Sequence, residues 1–249
     1  MINKKIFLVI GASSDVGVEL IRQLNEDECN SIFLAHYNSS LNDLDKISMK
    51  NDNKIEFLQA NLLDNLQVEK LIADIAENYE APTHIVQLAA MKFQHCKLSK
   101  LEIERLQNNL QVQVFSIANI LKKFLPIMAK RKIYNKVVFM LSSFVIGKPA
   151  KFCLDYNVTK FALLGLMKSL AADYEGKLIN INAISPSMIE TKFLSEIDER
   201  IVEMNAVNSS EKRNAKVEDI VPVIKFLLSS ESDYIHGVNF NVSNGNVFD

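Results

Sequence analysis

The amino-acid sequence predicts an α/β protein: a doubly wound, mainly parallel sheet with helices on both faces, in one domain. Three observations predict it. Short β-branched apolar runs alternate along the chain with amphipathic segments, and repeated strand–helix alternation builds a parallel sheet through right-handed crossovers. The runs are apolar without strict alternation, as expected of strands covered on both faces. No shift of composition and no Pro/Gly/Ser-rich linker divides the 249 residues, 48% of which are hydrophobic, so one core over 1–249 is expected.

The elements follow in order. Ile6–Ile10 is the first strand, and Ser13-Ser14-Asp15 supplies capping side chains for a helix over Val16–Asn25. Ser31–His36 is the second strand; Ser39-Ser40 beyond it can cap a helix over Leu41–Met49, face a ligand, or do both. Lys54–Gln59 is the third strand, with a helix over Asn65–Tyr79 after Asp64. His84–Leu88, Val137–Leu141 and Leu178–Ile184 are further strands, separated by long amphipathic helices over Gln113–Lys132 and Tyr156–Glu175.

Composition excludes several function classes. The net charge of −2, with both signs dispersed, offers no basic stripe for nucleic acid. No apolar run reaches the roughly 18 residues of a membrane span, and Ile6–Ile10 is too short for the core of a secretory signal. The three cysteines (Cys29, Cys96, Cys153) are widely spaced with no Cys-x-x-Cys, which suits reduced thiols in a cytoplasm. The four histidines show no ligand spacing, so no metal site is expected.

Gly11-Ala-Ser-Ser-Asp-Val-Gly17 follows the first strand directly and opens the first helix. A doubly wound sheet binds a dinucleotide at this place, where small residues admit the pyrophosphate and a helix N-terminus faces it. Gly11, Ser13, Ser14, Asp15, Val16 and Gly17 are candidate cofactor contacts. Asp15 is unusual beside two phosphates and can instead cap the helix. An acid at the end of the second strand would select NAD(H) by binding the ribose hydroxyls. Here the chain reads Ala35-His36-Tyr37-Asn38-Ser39-Ser40, with no acid before Asp43. His36, Asn38 and Ser39 are donors that suit a 2′-phosphate, so NADP(H) is the preferred cofactor and NAD(H) the alternative.

Tyr156 and Lys160 stand at i and i+4, on one helix face, and Ser143 lies beyond the strand Val137–Leu141. A phenol, an ammonium and a hydroxyl so placed can move a proton on and off an alcohol while a hydride leaves or reaches carbon. With Gly11–Gly17, Asn182-Ala-Ile-Ser-Pro186, Ile189-Glu190-Thr191 and the closing Glu218–Gly245 segment, this set resembles the short-chain dehydrogenase/reductase family in its compact single-domain branch. The resemblance covers essentially the whole chain. It implies a Rossmann-type sheet of seven strands, Tyr156 as general acid/base, Lys160 lowering the phenol pKa and holding the nicotinamide ribose, and Ser143 polarising the substrate oxygen. It also implies cofactor contacts at Asn61, Leu62, Ala89, Ala90, Pro186, Ile189 and Thr191. The family's helical relay Asn falls on Gln113, or on Asn109 one turn earlier. Departures from the family pattern are Asp15 in place of Gly, Gln87-Leu88-Ala89-Ala90 in place of Asn-Asn-Ala-Gly, and Ser187 after Pro186 in place of Gly.

Phe93–Lys97, Phe144–Leu154 and a lid over 188–208 are the segments expected to line the substrate pocket. Lys92, Lys97, Lys148 and Lys151 beside Phe93, Phe144 and Phe152 suit an acyl thioester on a phosphate-bearing carrier, or a nucleotide-linked sugar. The leading expectation is an NADP(H)-dependent reductase of a ketone, such as a 3-oxoacyl thioester, working on a small molecule. Its rivals are a keto-sugar reductase of polysaccharide synthesis and a non-catalytic nucleotide-binding sensor. The helices over Gln113–Lys132 and Tyr156–Glu175 resemble those that pair subunits in the family, implying a homodimer or homotetramer.

Overall fold

The computed structural model describes residues 4–248; residues 1–3 and 249 of the expected domain lie outside the described residues. Seven strands form one sheet in the order β3-β2-β1-β4-β5-β6-β7. They are β1 (Ile6–Ile10), β2 (Ile32–Tyr37), β3 (Lys54–Gln59), β4 (His84–Gln87), β5 (Asn135–Met140), β6 (Ile179–Pro186) and β7 (Asn239–Val242). Every neighbouring pair is parallel, with Phe7 opposite Phe33 and His84. The helices are α1 (Asp15–Asp27), α2 (Asn65–Asn78), α3 (Ile103–Leu110), α4 (Ser116–Met128), α5 (Leu154–Asp173), α6 (Glu199–Asn208) and α7 (Val217–Leu228).

Successive side chains of a strand point to opposite faces. Both faces are buried in β1, β2, β4, β5 and β6. β3, expected to be covered on both faces, is instead an edge strand with Lys54, Phe57 and Gln59 exposed. Leu8 and Ile10 join Val137, Phe139 and Ile181 in a core covered by α2, α4 and α5. Phe7 and Val9 join Phe33, Val86 and Val138 in a second core under α1 and α7. In that second layer Phe7 stacks on Phe33 at 5.2 Å and on His84 at 4.5 Å. His84 is buried there as a neutral ring, its Nδ1 against Thr83 Oγ1 (2.7 Å) and its Nε2 against the Leu228 carbonyl (3.1 Å). Burial pushes its pKa down to about 3.

Two expected helices differ. Leu41–Met49 contains only a 3-10 turn at Leu44–Lys46, because the Ser40 hydroxyl takes the Asn42 N–H two residues on, and Asn42 itself is left-handed at φ 53°. The helix expected from Gln113 begins ten residues earlier, at Ile103. A π turn at Gln111–Phe115 joins α3 to α4. That helix also ends four residues before the expected Lys132, at Met128; the remaining boundaries agree within about two residues, the usual fraying of assignment.

Chain order reverses between β1 and β4: the chain runs outward through β2 and β3, then returns to place β4 on the other side of β1. The crevice beyond the carboxyl ends of these strands is the ligand position of an open α/β sheet.

Candidate active site

The turn from β1 into α1 sits over the end of β4. Gly11 is left-handed at φ +85°, and a Cβ there would lie 2.6 Å from Ala89 N. A Cβ on Gly17 would lie 2.5 Å from the Ala12 carbonyl oxygen. Both positions need glycine, one for conformation and closeness, the other for closeness alone. The Ser14 hydroxyl caps α1 by accepting the Gly17 N–H (3.1 Å) and donates to the Gly11 carbonyl (2.8 Å). The cap is therefore Ser14. Asp15 is the first helical residue, and its Oδ2 accepts the backbone N–H of Lys192 (2.7 Å). The Lys192 ammonium lies 3.8 Å from Asp15 Oδ1 and 3.9 Å from Asp43 Oδ2. Asp15 so ties the segment after β6 to the glycine turn. The Ser13 carbonyl accepts from Asn42 Nδ2 (2.7 Å), and the Val16 side chain is in the core, leaving only its backbone for a ligand.

His36 corrects one expectation. It is buried, its Nδ1 accepts the Gly11 N–H (3.1 Å), and its Nε2 bonds the Ala60 carbonyl (3.0 Å). These partners fix the Nε2–H tautomer. Burial pushes the pKa down to about 4, so the ring is neutral and has no free donor for a phosphate. Its work is to hold the glycine turn. Asn38 and Ser39 remain exposed at the rim of β2. Beyond β3, Asn61 is partly exposed and its Oδ1 accepts the Leu63 N–H (3.1 Å), while Leu62 is buried. Ala89 and Ala90 are half-buried above Gly11. Pro186 ends β6. Ile189 bridges to Ala215, and the Thr191 hydroxyl points back to the Ile189 carbonyl (3.4 Å).

Across the crevice, Tyr156 and Lys160 lie on α5. The Tyr156 ring stands edge-on to Phe93 (5.0 Å) and Phe144 (6.1 Å). Lys160 is buried, donates to the Met140 carbonyl at the end of β5 (3.0 Å), and lies 5.6 Å from the Tyr156 ring centre. Two serines follow β5: the expected Ser143, and Ser142 one residue before it, whose hydroxyl favours the ionised form of the phenol. Both are buried; Ser142 is extended (φ −160°) and caps a 3-10 turn, and Ser143 begins that turn with its carbonyl taking the Ile146 and Gly147 N–H groups.

In the chain alone, without the nicotinamide charge on which the expected lowering partly rests, the phenol pKa lies above its ordinary value. Burial pushes Tyr156 up to about 12 against the Ser142 hydrogen bond, and burial pushes Lys160 down to about 7. Desolvation disfavours the charged form of each.

Gln113 is fully buried in the π turn. Its Nε2 donates to Asn109 Oδ1 (3.2 Å), and its Oε1 has no partner. Asn109 Nδ2 reaches Asp155 Oδ2 (3.2 Å), which also accepts Arg105 Nε (2.9 Å). The two amides are successive links in one buried chain that ends beside Tyr156; the Lys160 ammonium bonds neither of them. Sequence reasoning missed Arg105, Asp155 and Lys192, because each acts through a residue far along the chain.

The pocket lysines are surface groups. Lys92 pairs with Glu196 after β6 (3.3 Å), Lys97 lies 5.5 Å from the Phe152 ring centre, and Lys148 and Lys151 are exposed. Among the described residues no helix is long and apolar enough to cross a membrane, and no three His, Cys, Asp or Glu cluster as metal ligands.

Comparison with known proteins adds to this geometry. A family model described as enoyl-(acyl carrier protein) reductase matches residues 11–246. A 3-oxoacyl-(acyl-carrier-protein) reductase of Thermotoga maritima is 24% identical over 243 residues, covering 97% of each chain. Among solved structures, a provisionally assigned NAD(P)-dependent gluconate 5-dehydrogenase from Beutenbergia cavernae, with NADP bound at low occupancy, has a TM-score of 0.85 at 21% identity, covering 97% of this chain and 96% of that one. A 3-ketoacyl-(acyl-carrier-protein) reductase from Brucella melitensis in complex with NADH has a TM-score of 0.79 at 17% identity, with 98% of both chains covered. At these identities the two structures speak for the fold.

Proposed function

Because this chain belongs to the short-chain dehydrogenase/reductase family, we propose that it interconverts a ketone and a secondary alcohol with a nicotinamide cofactor, with Tyr156 moving the proton. The observation that supports this reading is Lys160 beside the Tyr156 ring on α5 and bonded to the end of β5, the same sheet end at which the Gly11–Gly17 turn leaves β1. The glycine turn fits a dinucleotide, since a Cβ at Gly11 or Gly17 would fill the space that the backbone needs. Asn61, Leu62, Ala89, Ala90, Pro186, Ile189 and Thr191 line the remaining cofactor surface in this reading.

A bound nicotinamide cofactor supplies or accepts the hydride. The chain does the rest. The Ser142 hydroxyl donates to the substrate oxygen and polarises the carbonyl, the part first expected of Ser143. Tyr156 gives its proton to that oxygen in reduction and takes it back in oxidation. A phenol held near 12 stays protonated at neutral pH, which suits the reductive direction. Lys160 supplies positive charge beside the phenol when protonated, and Gln113 with Asn109 supplies amides behind it. Phe93 and Phe144 exclude water around the ring.

NADP(H) is the preferred cofactor in this proposal, since β2 ends in Tyr37-Asn38-Ser39-Ser40 without an acid. Without His36 the preference rests on that absence and on the exposed Asn38 and Ser39. The substrate class is a ketone such as a 3-oxoacyl thioester, the activity named for the Thermotoga maritima relative. Residues 188–208 serve as the lid, and Phe115, Ile127, Val158 and Phe161, exposed on or beside α4 and α5, suit pairing of subunits into a homodimer or homotetramer. The three free thiols fit a cytoplasmic setting.

The test is titration with NADPH and NADH by fluorescence, then turnover of ketones and 3-oxoacyl thioesters. Turnover that vanishes in Tyr156→Phe, with cofactor binding kept within a few-fold, supports the proposal. Tight binding with no turnover, alike in wild type and Tyr156→Phe, would favour a nucleotide sensor. A monomer in light scattering at micromolar concentration would remove the subunit pairing.

A further inference from the structure

We propose that Arg105 is a positioning residue for Tyr156, clamping together the two segments that hold the phenol. The inference rests on the reading of Tyr156 as the acid–base group. One guanidinium bonds two elements at once: Nε donates to Asp155 Oδ2 (2.9 Å) and Nη2 donates to the Lys92 carbonyl (2.9 Å). Each acceptor immediately precedes a residue of the phenol's surroundings. Asp155 precedes Tyr156 on α5. Lys92 precedes Phe93, which is buried edge-on against the Tyr156 ring at 5.0 Å. Arg105 so sets the spacing between the phenol and its aromatic wall.

The chemistry suits arginine alone. Asp155 is 1% exposed, and a carboxylate that deeply buried requires a partner. Asn109 supplies one further hydrogen bond to the same oxygen, while Oδ1 has none. The planar fork presents several donors at fixed angles, so it serves a carboxylate and a carbonyl together; a lysine ammonium on a flexible stem does not. The clamp reaches further, because the Lys92 side chain pairs with Glu196 of the lid at 3.3 Å. Arg105, Lys92 and Glu196 connect the lid to the helix that carries Tyr156.

The experiment compares wild type, Arg105→Ala and Arg105→Lys, measuring kcat, cofactor Kd by fluorescence and thermal midpoint, with and without millimolar guanidinium chloride. In Arg105→Ala kcat is expected to fall about 10- to 100-fold with cofactor Kd within about three-fold. Guanidinium, and not urea at the same concentration, is expected to recover much of that loss and to raise the thermal midpoint of Arg105→Ala without cofactor. Arg105→Lys tests the fork should the alanine variant fold poorly, and it is expected to lose kcat while keeping its thermal midpoint within a few degrees. Wild-type kcat in Arg105→Lys, or an Arg105→Ala loss that guanidinium leaves untouched, would overturn the clamp. Absence of turnover in wild type would instead count against the enzymatic reading, and guanidinium's effect on the thermal midpoint of Arg105→Ala would then judge the clamp by itself.

Discussion

Acid should strip this fold of stability through two histidines, and the size of the loss can be worked out. His36 and His84 are buried with pKa values of about 4 and about 3, against an ordinary 6.5. Each is neutral in the folded chain and binds a proton when unfolded, once pH drops below about 6.5. The unfolded state then holds more protons, so stability rises with pH across roughly 4 to 6.5 for His36 and 3 to 6.5 for His84, and is lost as pH falls through those windows. At about pH 5 the unfolded rings are roughly 1.5 units below their pKa, worth about 2 kcal/mol each. Together they remove about 4 kcal/mol, a large part of the roughly 5–15 kcal/mol that holds a typical protein folded. The assay is urea unfolding at about pH 7.5 and about pH 5 for wild type, His36→Asn and His84→Asn. Carboxylates contribute equally to all three, so the difference in pH dependence isolates each ring. Each variant should lose about half of the histidine contribution, whatever its stability at neutral pH. An unchanged pH dependence in His36→Asn would refute the assignment of His36 as a buried neutral acceptor for Gly11. Because His36 holds that turn, acid should also weaken cofactor binding before global unfolding.

Three further outcomes follow from the site. Ser142→Ala should reduce kcat by about 100-fold or more, whereas Ser143→Ala should stay within a few-fold, and comparable losses would cancel the reassignment. Asp15→Gly removes a carboxylate from the end of α1 that faces the crevice, so NADPH should bind several-fold more tightly by fluorescence titration; weaker binding would show that the tie to Lys192 matters more than the charge. Gly11→Ala meets both a left-handed backbone and the Ala89 amide, and should lower stability by about 1–3 kcal/mol in urea unfolding while abolishing cofactor binding; a variant that binds normally would contradict the close approach.

The central strands were legible because strands covered on both faces must be apolar, and those runs survive any shift of a residue or two at their ends. The glycine turn was legible for a related reason, since Gly11 and Gly17 occupy positions that no side chain could. What the sequence withheld lies where a third element decides. His36 reads as a donor at a strand end until Gly11 and the Ala60 carbonyl claim both of its nitrogens. Ser142 and Ser143 are adjacent and chemically identical, and both are buried at the end of β5, so spacing alone does not separate them. The polar run Glu104-Arg105…Asn108-Asn109 hides a helix whose buried face is made of charge and amide, because its partner Asp155 is far along the chain.

The π turn at Gln111–Phe115 carries a lesson about insertions. A residue added to an α-helix without lengthening its path turns everything before it by about 100° relative to everything after. Arg105 and Asn109 precede that turn, and Ser116 to Met128 follow it. Deleting Val112 or Val114 would leave the polar residues of the site intact, yet swing Arg105 and Asn109 away from Asp155 or drag α4 out of its packing. In comparing this chain with its relatives, a one-residue gap placed a turn too early or too late therefore changes which amide is matched with which. The phase of this helix, as much as the identity of its residues, decides which amide meets Asp155.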